Sequence, residues 1–316
     1  MNLAVLIIGY SRPTGITNLI KSLTRNGITR IYVSLDGPKD NRDIDNQKIM
    51  ESEFVKIAIN GSVEIKVLKQ EFNLGIAVAV IGAIDWFFSQ EDSGLILEDD
   101  LVISPELLIF TNACLEKYSK NPNVWMISGS QLLSKFSSKS ETIWANYPMI
   151  WGWATWAEKW REMRSSLIRD KKTTFFQTLN YRYTYWKIGA ERVLSGKVDT
   201  WDTPLAYEFM AQNKFCVLPP INLVSNIGVD EMASHTTSIG NGVGTPIERS
   251  NTQITLTLNP DINQVNEYNQ KLESNIFKIR FRHLFLPCTS FLFDHFKFPK
   301  SVRNDVLRDR INLFKC

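Results

Sequence analysis

Leu95-Ile96-Leu97-Glu98-Asp99-Asp100-Leu101 is a short apolar run that ends in three successive carboxylates. Side chains alternate across a strand with a period of two, so Glu98 and Asp100 face one side and Asp99 the other. Three neighbouring anions at one sheet edge repel one another. A divalent cation relieves that repulsion. Hard Mn²⁺ or Mg²⁺ takes carboxylate oxygen, substrate phosphate and water, so one or two carboxylates suffice when a diphosphate completes the shell. The competing reading is a solvated acidic turn, but a triplet placed directly after a strand favours the metal.

Three earlier apolar runs, at residues 3–8, 31–35 and 63–68, read as buried strands that accompany 95–97. Between the first two, Ile16, Leu19, Ile20 and Leu23 recur at helical spacing behind Pro13, a residue suited to a helix start. Before the fourth, Ile76, Val80, Ile81, Ile84, Phe87 and Phe88 do the same. This alternation predicts an α/β fold with a mostly parallel sheet and helices on both faces. Ligands of such sheets sit at the carboxyl ends of the strands, which singles out residues 9–13, 36–38, 71–75 and 98–100. Further on, a helix over 105–119 and a strand over 124–127 are expected. Five Trp follow between positions 144 and 160, and a Gly-rich loop that contains His235 runs over 226–246.

Composition narrows the field. With 44% hydrophobic and 22% charged residues in a chain of 316, disorder and collagen-like repeats are excluded. Residues 3–8 fall far short of the roughly 20 apolar residues of a membrane span, and no cationic stretch precedes them, so no export signal is expected. Four scattered cysteines without a CxxC pair, with only three histidines, argue against a thiolate–imidazole zinc site and for reduced cytosolic thiols. No GxxxxGK[ST], GxSxG or HExxH motif occurs, which weakens P-loop, serine-hydrolase and zincin readings.

The charge is uneven. Residues 271–316 hold ten Lys/Arg against four Asp/Glu and eight of the 18 Phe, a net +6 where the preceding 270 residues sum to −3. Cations interleaved with aromatic rings suit an anionic membrane surface; the alternative is a capping subdomain with Phe in its core. The expected domains are therefore 1–270, with a nucleotide-binding half over 1–105 and an acceptor half over 106–270, and a basic Phe-rich extension over 271–316.

The ordered set IIGYSRP, VSLDGP, FNLG, LILEDDL, SPELL, ISGSQ, WGWATW, TWDTPL and SNIGVDEMASHT, spread over residues 3–237, resembles bacterial nucleotide-sugar glycosyltransferases of the GT-A fold. It is also similar to the N-acetylglucosaminyltransferase that starts complex N-glycans. That resemblance implies that Asp36 hydrogen-bonds the nucleotide base and that Arg12 lies near ribose and diphosphate. Asn73 and Gly75 would form the turn that packs on the nucleotide. Asp100 would ligate the metal, Mn²⁺ or Mg²⁺, with Glu98 and Asp99 nearer ribose and donor sugar. His235 would approach the metal or diphosphate. Trp153, with Trp151 beside it, would face a sugar, and Ser128 and Gln131 would offer partners for sugar hydroxyls. Trp156 and Trp160, spaced i, i+4, read instead as one buried helix face.

Asp202 reads on its own as a helix N-cap with Pro two positions later. The resemblance makes it the general base. The function implied is metal-dependent, inverting transfer of a sugar from a nucleoside diphosphate sugar, UDP-sugar favoured, to a glycan or lipid-linked acceptor. It would act in the cytoplasm, peripheral on the inner face of the membrane. The alternatives are a sugar nucleotidyltransferase and a non-catalytic glycan-binding or scaffold protein. Nucleic acid is not an expected partner.

Overall fold

The computed structural model describes residues 2–61, 63–133, 136, 140–167, 180–228, 245–248 and 253–279. The first half follows the expected alternation: β1 (Ala4–Gly9), α1 (Pro13–Arg25), β2 (Arg30–Leu35), α2 (Asn41–Asn60), β3 (Glu64–Lys69), α3 (Ile76–Phe88) and β4 (Ser93–Glu98). Short β5 (Leu101–Ile103) leads into α4 (Pro105–Lys117) and β6 (Val124–Ser128). Then come β7 (Ile143–Ala145), β8 (Trp153–Trp156), α5 (Ala157–Leu167), α6 (Tyr181–Leu194), α7 (Asp202–Ala211), β9 (Phe215–Leu218), β10 (Val224–Asn226) and α8 (Ile262–Lys271).

Among the described residues, eight strands form one sheet in the order β3-β2-β1-β4-β8-β6-β9-β7, and β10 pairs with β5 separately. The run β3-β2-β1-β4 is parallel, β8 is antiparallel to both neighbours, β9 is parallel to β6, and β7 is antiparallel to β9. The fold is thus mixed α/β with a mostly parallel, Rossmann-like sheet, the class expected from the sequence.

Period-two alternation sorts β1 between two cores. Val5 and Ile7 pack with Ile16, Leu19, Ile20 and Leu23 of α1 and with Leu107 and Leu108 of α4. Leu6 and Ile8 pack on the other face with Ile81 and Ile84 of α3, Trp160 of α5 and Leu205 of α7. Burial of these side chains, at about 25 cal/mol per Å² of apolar surface, holds helices to both faces.

Helix α2 has a weaker sequence mark than its neighbours. Met50 and Phe54 are fully buried, whereas Ile49, Val55 and Ile59 are exposed, so no clean apolar stripe announces it. Its start is nevertheless capped by the Asp40 carboxylate, which accepts from the Asp43 amide at 2.9 Å.

Two expectations need correction. Trp156 ends strand β8 and α5 begins at Ala157, so Trp156 and Trp160 do not share a helix face. Strand pairing to β4 outweighs helical spacing there. The boundary placed at residue 270 also falls inside a packed segment. Helix α8 passes directly into a π-helical turn, Leu272–Ile276, in which Leu272 and Glu273 are buried. The Glu273 carboxylate accepts from the Tyr147 hydroxyl at 2.7 Å and pairs with Arg182 Nε at 2.7 Å. Leu272, Glu273 and Ile279 are therefore buried with the main domain and Ile276 and Phe277 pack against its core, while 280–316 lie outside the described residues. Among the described residues no helix is long and apolar enough to cross a membrane.

Candidate active site

The carboxyl ends of β1, β2 and β4 meet at one edge of the sheet, because β1 pairs in parallel register with both neighbours, Gly9 opposite Leu35 and Ile8 opposite Glu98. The acidic triplet leaves β4 at this edge. Asp99 turns back toward β1, where its amide donates to the Ile8 carbonyl at 3.0 Å and its carboxylate accepts from the Tyr10 amide at 3.2 Å. Arg12, on the residue before α1, reaches both following acids: Nη1 lies 3.4 Å from Asp99 Oδ1 and 3.3 Å from Asp100 Oδ2. Asp100 is steadied from the opposite direction by the β5–β10 pair. The Ile227 amide donates to its carbonyl at 2.9 Å, and Asn226 Nδ2 donates to its Oδ1 at 3.4 Å.

Electrostatics at this edge are unbalanced. Burial, then the charges of Asp100, Asp99 and Asp202, pushes the Glu98 carboxyl up to about 8 against the pull of Arg12. Burial likewise lifts Asp99 to about 6, with Arg12 opposing and Asp100 adding to the rise. Asp100 is also raised by burial, with Arg12 and Asn226 holding it back. Carboxyls raised this far by burial and by one another make this edge a candidate functional site.

Asp202 joins the cluster through aromatic packing. Trp153 opens β8 opposite Ile96 of β4, two positions before Glu98. Its ring stacks on Trp201 with centroids 5.7 Å apart and planes inclined by 24°. Trp201 precedes α7, and Asp202 is the first residue of that helix rather than its N-cap. The stack delivers Asp202 to the carboxyl end of β4, and Thr200 Oγ1 donates to Asp202 Oδ1 at 2.5 Å.

The second turn of the site is built on Asp36. Its Oδ1 accepts from the Gly37 and Leu74 amides at 2.8 and 2.9 Å, and its Oδ2 accepts from Asn73 Nδ2 at 2.9 Å. Burial raises its pKa while these backbone donors lower it. Asn73 Nδ2 also donates to the Gly37 carbonyl at 3.0 Å, which joins the 36–38 turn to the 73–75 turn. Gln47 of α2 lies beneath, with Nε2 bonding the Tyr10 and Asp36 carbonyls at 3.0 and 2.8 Å.

Arg12, Asp36, Asn73, Gly75, Glu98, Asp99, Asp100 and Asp202 thus gather at one sheet edge. Trp153 belongs to the core: it is 1% exposed, one face is covered by Trp201, and it has no open ring for a sugar. Ser128 and Gln131 are equally enclosed. Ser128 Oγ accepts from the Ser130 amide, and the Gln131 side chain bonds the backbone of Leu133 and the Tyr268 hydroxyl. His235 lies outside the described residues.

Among the described residues no group of three or more His, Cys, Asp or Glu side chains is arranged to hold a metal ion. The donors present are hard carboxyl oxygens crowded at one strand end. They fit a divalent cation shared with a diphosphate rather than one caged by protein alone.

Sequence reading missed three contributors. Gln47 sits on the weakly marked α2, Asn226 becomes a neighbour of Asp100 only through the β5–β10 pair, and Asp199 touches residues more than 120 positions away. For Asn226, its place in the Ser225-Asn226-Ile227-Gly228 segment was a signal; for Asp199 there was none.

No protein-family model matches the chain, and no curated protein matches it. Among solved structures it is similar to HddC from Yersinia pseudotuberculosis, with 13% identity, a TM-score of 0.28, and coverage of 45% of this chain and 59% of that one. A UDP-glucose pyrophosphorylase complexed with UDP-glucose matches over 69% of this chain and 90% of that one, with 10% identity and a TM-score of 0.37. The glycosyltransferase GlyE of Streptococcus pneumoniae TIGR4 matches over 70% and 55%, with 13% identity and a TM-score of 0.32. At these values the likenesses carry no argument about activity.

Proposed function

We propose that the chain is a nucleotide-sugar enzyme and, within that class, a metal-dependent, inverting glycosyltransferase. Its donor would be a nucleoside diphosphate sugar, UDP-sugar favoured, carrying a hexose or N-acetylhexosamine. Its acceptor would be a hydroxyl of a growing bacterial glycan or lipid-linked saccharide. The observation that carries this reading is the cluster of Glu98, Asp99 and Asp100 at Arg12, with the Asp202 charge acting on Glu98 and the Asp36–Asn73 turn alongside.

Each group has a role in this reading. Asp36 Oδ2 has acceptor capacity beyond its bond from Asn73 and can take a base N–H, while Gly75 keeps the turn low beneath the nucleotide. Arg12 offers charge-assisted donors to the diphosphate. Asp100 would hold the divalent cation, with substrate oxygens completing its shell, and His235 is a further candidate ligand. The ion, when bound, neutralises charge on the departing diphosphate. Glu98 and Asp99 lie toward ribose and donor sugar. Asp202 accepts the proton of the acceptor hydroxyl as that oxygen attacks the anomeric carbon from the face opposite the diphosphate.

The test is turnover of a UDP-sugar panel with Mn²⁺, with the released product identified. Free nucleoside diphosphate and an inverted anomeric configuration are expected. Asp202→Asn should lower kcat by about 10²- to 10⁴-fold with donor binding nearly unchanged, and Asp100→Ala should remove Mn²⁺-dependent nucleotide binding. Retained configuration, or normal kcat in Asp202→Asn, would remove Asp202 from the mechanism. Pyrophosphate release from a nucleoside triphosphate and a sugar phosphate would install the nucleotidyltransferase reading in its place.

A further inference from the structure

Helix α3 begins at Ile76 with no capping side chain of its own: Gly75 occupies the cap position, and no acidic residue lies in the first turn. Its first amides are satisfied from the far half of the chain. The Ile76 amide donates to Asp199 Oδ2 at 3.0 Å and the Ala77 amide to Asp199 Oδ1 at 3.0 Å, so both carboxylate oxygens are engaged. A carboxylate at the positive end of a helix is favourable. Gly75 makes room for it. Its φ is +79°, and a Cβ there would come within 2.7 Å of Asp199 Oδ2.

The same five-residue stretch is gripped from its other end by Asp36, through Leu74 N–H and the Asn73 amide. Residues 73–77 are therefore held between two carboxylates, one at the end of β2 and one on the loop that leads into α7. That loop is short. Asp199 is three residues before Asp202, and between them Trp201 is fixed by its stack on Trp153.

Resting on the reading of Asp202 as the base, we propose that Asp199 is a positioning residue: its carboxylate seats the Thr200-Trp201-Asp202 segment on the donor-binding turn. The turn that carries the nucleotide and the residue that takes the acceptor proton are thereby one mechanical unit. Asp199 touches neither substrate; it acts through the placement of Asp202. It also occupies the Ile76 and Ala77 amides, which are then not offered to a diphosphate.

The experiment compares Asp199→Ala, Asp199→Asn, Asp202→Asn and the double variant Asp199→Ala/Asp202→Asn, all in the full chain. It measures kcat for nucleoside diphosphate release per folded molecule, Kd for the UDP-sugar with Mn²⁺, and amide exchange of residues 76 and 77. Misplacing a reacting group by an ångström can cost about 10²-fold, so Asp199→Ala should lower kcat by about 10- to 100-fold with Kd nearly unchanged. Asp199→Asn keeps one acceptor oxygen and should fall between Asp199→Ala and the unaltered chain. In the Asp202→Asn background Asp199→Ala should cost little more, because its effect runs through Asp202. Faster exchange at Ile76 and Ala77 should accompany the loss of the carboxylate.

Normal kcat in Asp199→Ala, a loss that falls on Kd instead, or a loss that multiplies fully with that of Asp202→Asn would each overturn the proposal. A normal kcat in Asp202→Asn refutes the base itself and the positioning role with it. That result is distinct from failure of Asp199 alone, in which Asp202→Asn is slow and Asp199→Ala is not.

Discussion

Gly15→Ala probes how tightly α1 is seated on the acidic turn. Gly15 lies in the first turn of α1, and a Cβ there would sit 2.1 Å from the Asp99 carbonyl oxygen. Ordinary contact begins at 3.4 Å, so helix and turn must separate by about 1.3 Å. The opposing atom is backbone and cannot swing aside. Arg12 reaches Asp99 and Asp100 at 3.4 and 3.3 Å, and a displacement of that size breaks both contacts. Two energies compete. Alanine gains about 1 kcal/mol over glycine in a helix, and overpacking of a close contact costs about 1–3 kcal/mol. With the contact against rigid backbone the upper part of that cost applies, which leaves a net loss of about 1–2 kcal/mol. In a chain of 316 residues, at about 2.1 cal/mol/K of unfolding entropy per residue, that is a fall in Tm of about 1.5–3 °C.

Melting curves and calorimetric titration with UDP and Mn²⁺ read the two consequences, and Gly61→Ala is the control, since its Cβ would meet no atom closer than 3.4 Å. Gly15→Ala should melt earlier and bind nucleotide more weakly, with Gly61→Ala close to the unaltered protein in binding. A Gly15→Ala protein that melts higher with unchanged nucleotide affinity would refute the described seating of α1 on the Asp99 turn.

Glu98 and Asp99 have folded-state values, about 8 and about 6, above those of free carboxyls, so the folded protein holds more protons than the unfolded chain in that range. Their contribution to stability is complete at acid pH and is lost as pH rises through about 6 and then about 8; Glu98→Gln should flatten the upper part of the fall in Tm, and identical pH profiles for variant and parent would count against the cluster. For the basic segment, the full-length protein should sediment with anionic vesicles at low salt, whereas a chain that stops at Ile279 keeps the buried Leu272 and Glu273, should fold, and should stay in solution. If the full-length protein ignores such vesicles, its Phe residues serve packing instead. Leu272→Ala, by contrast, should cost about 2–5 kcal/mol in a single unfolding transition, because Leu272 is fully buried in the main core; a separate early transition would place it in an independent domain.

The parallel half of the sheet, with α1, α3 and the acidic turn after β4, was legible in the sequence because its information is local. Apolar runs, helical spacing and a strand that ends in carboxylates are all read within a dozen residues. The edge at which sheets of this kind take ligands followed from topology alone, and with it the positions of Asp36, Asn73, Glu98, Asp99 and Asp100. What only the tertiary structure decided depends on contacts between distant segments. Trp153 and Trp201 are both aromatic residues beside suggestive motifs, and nothing in either segment says that they stack on each other rather than on a sugar. The segment from Lys271 to Ile279 has the composition of a surface arm, yet Glu273 finds Tyr147 and Arg182 and is drawn into the core. Asp199 carries no local mark at all. It caps α3 because the fold brings the loop before α7 against a helix whose cap position is a glycine, and a helix end with unsatisfied amides takes a carboxylate from wherever in the chain one is presented.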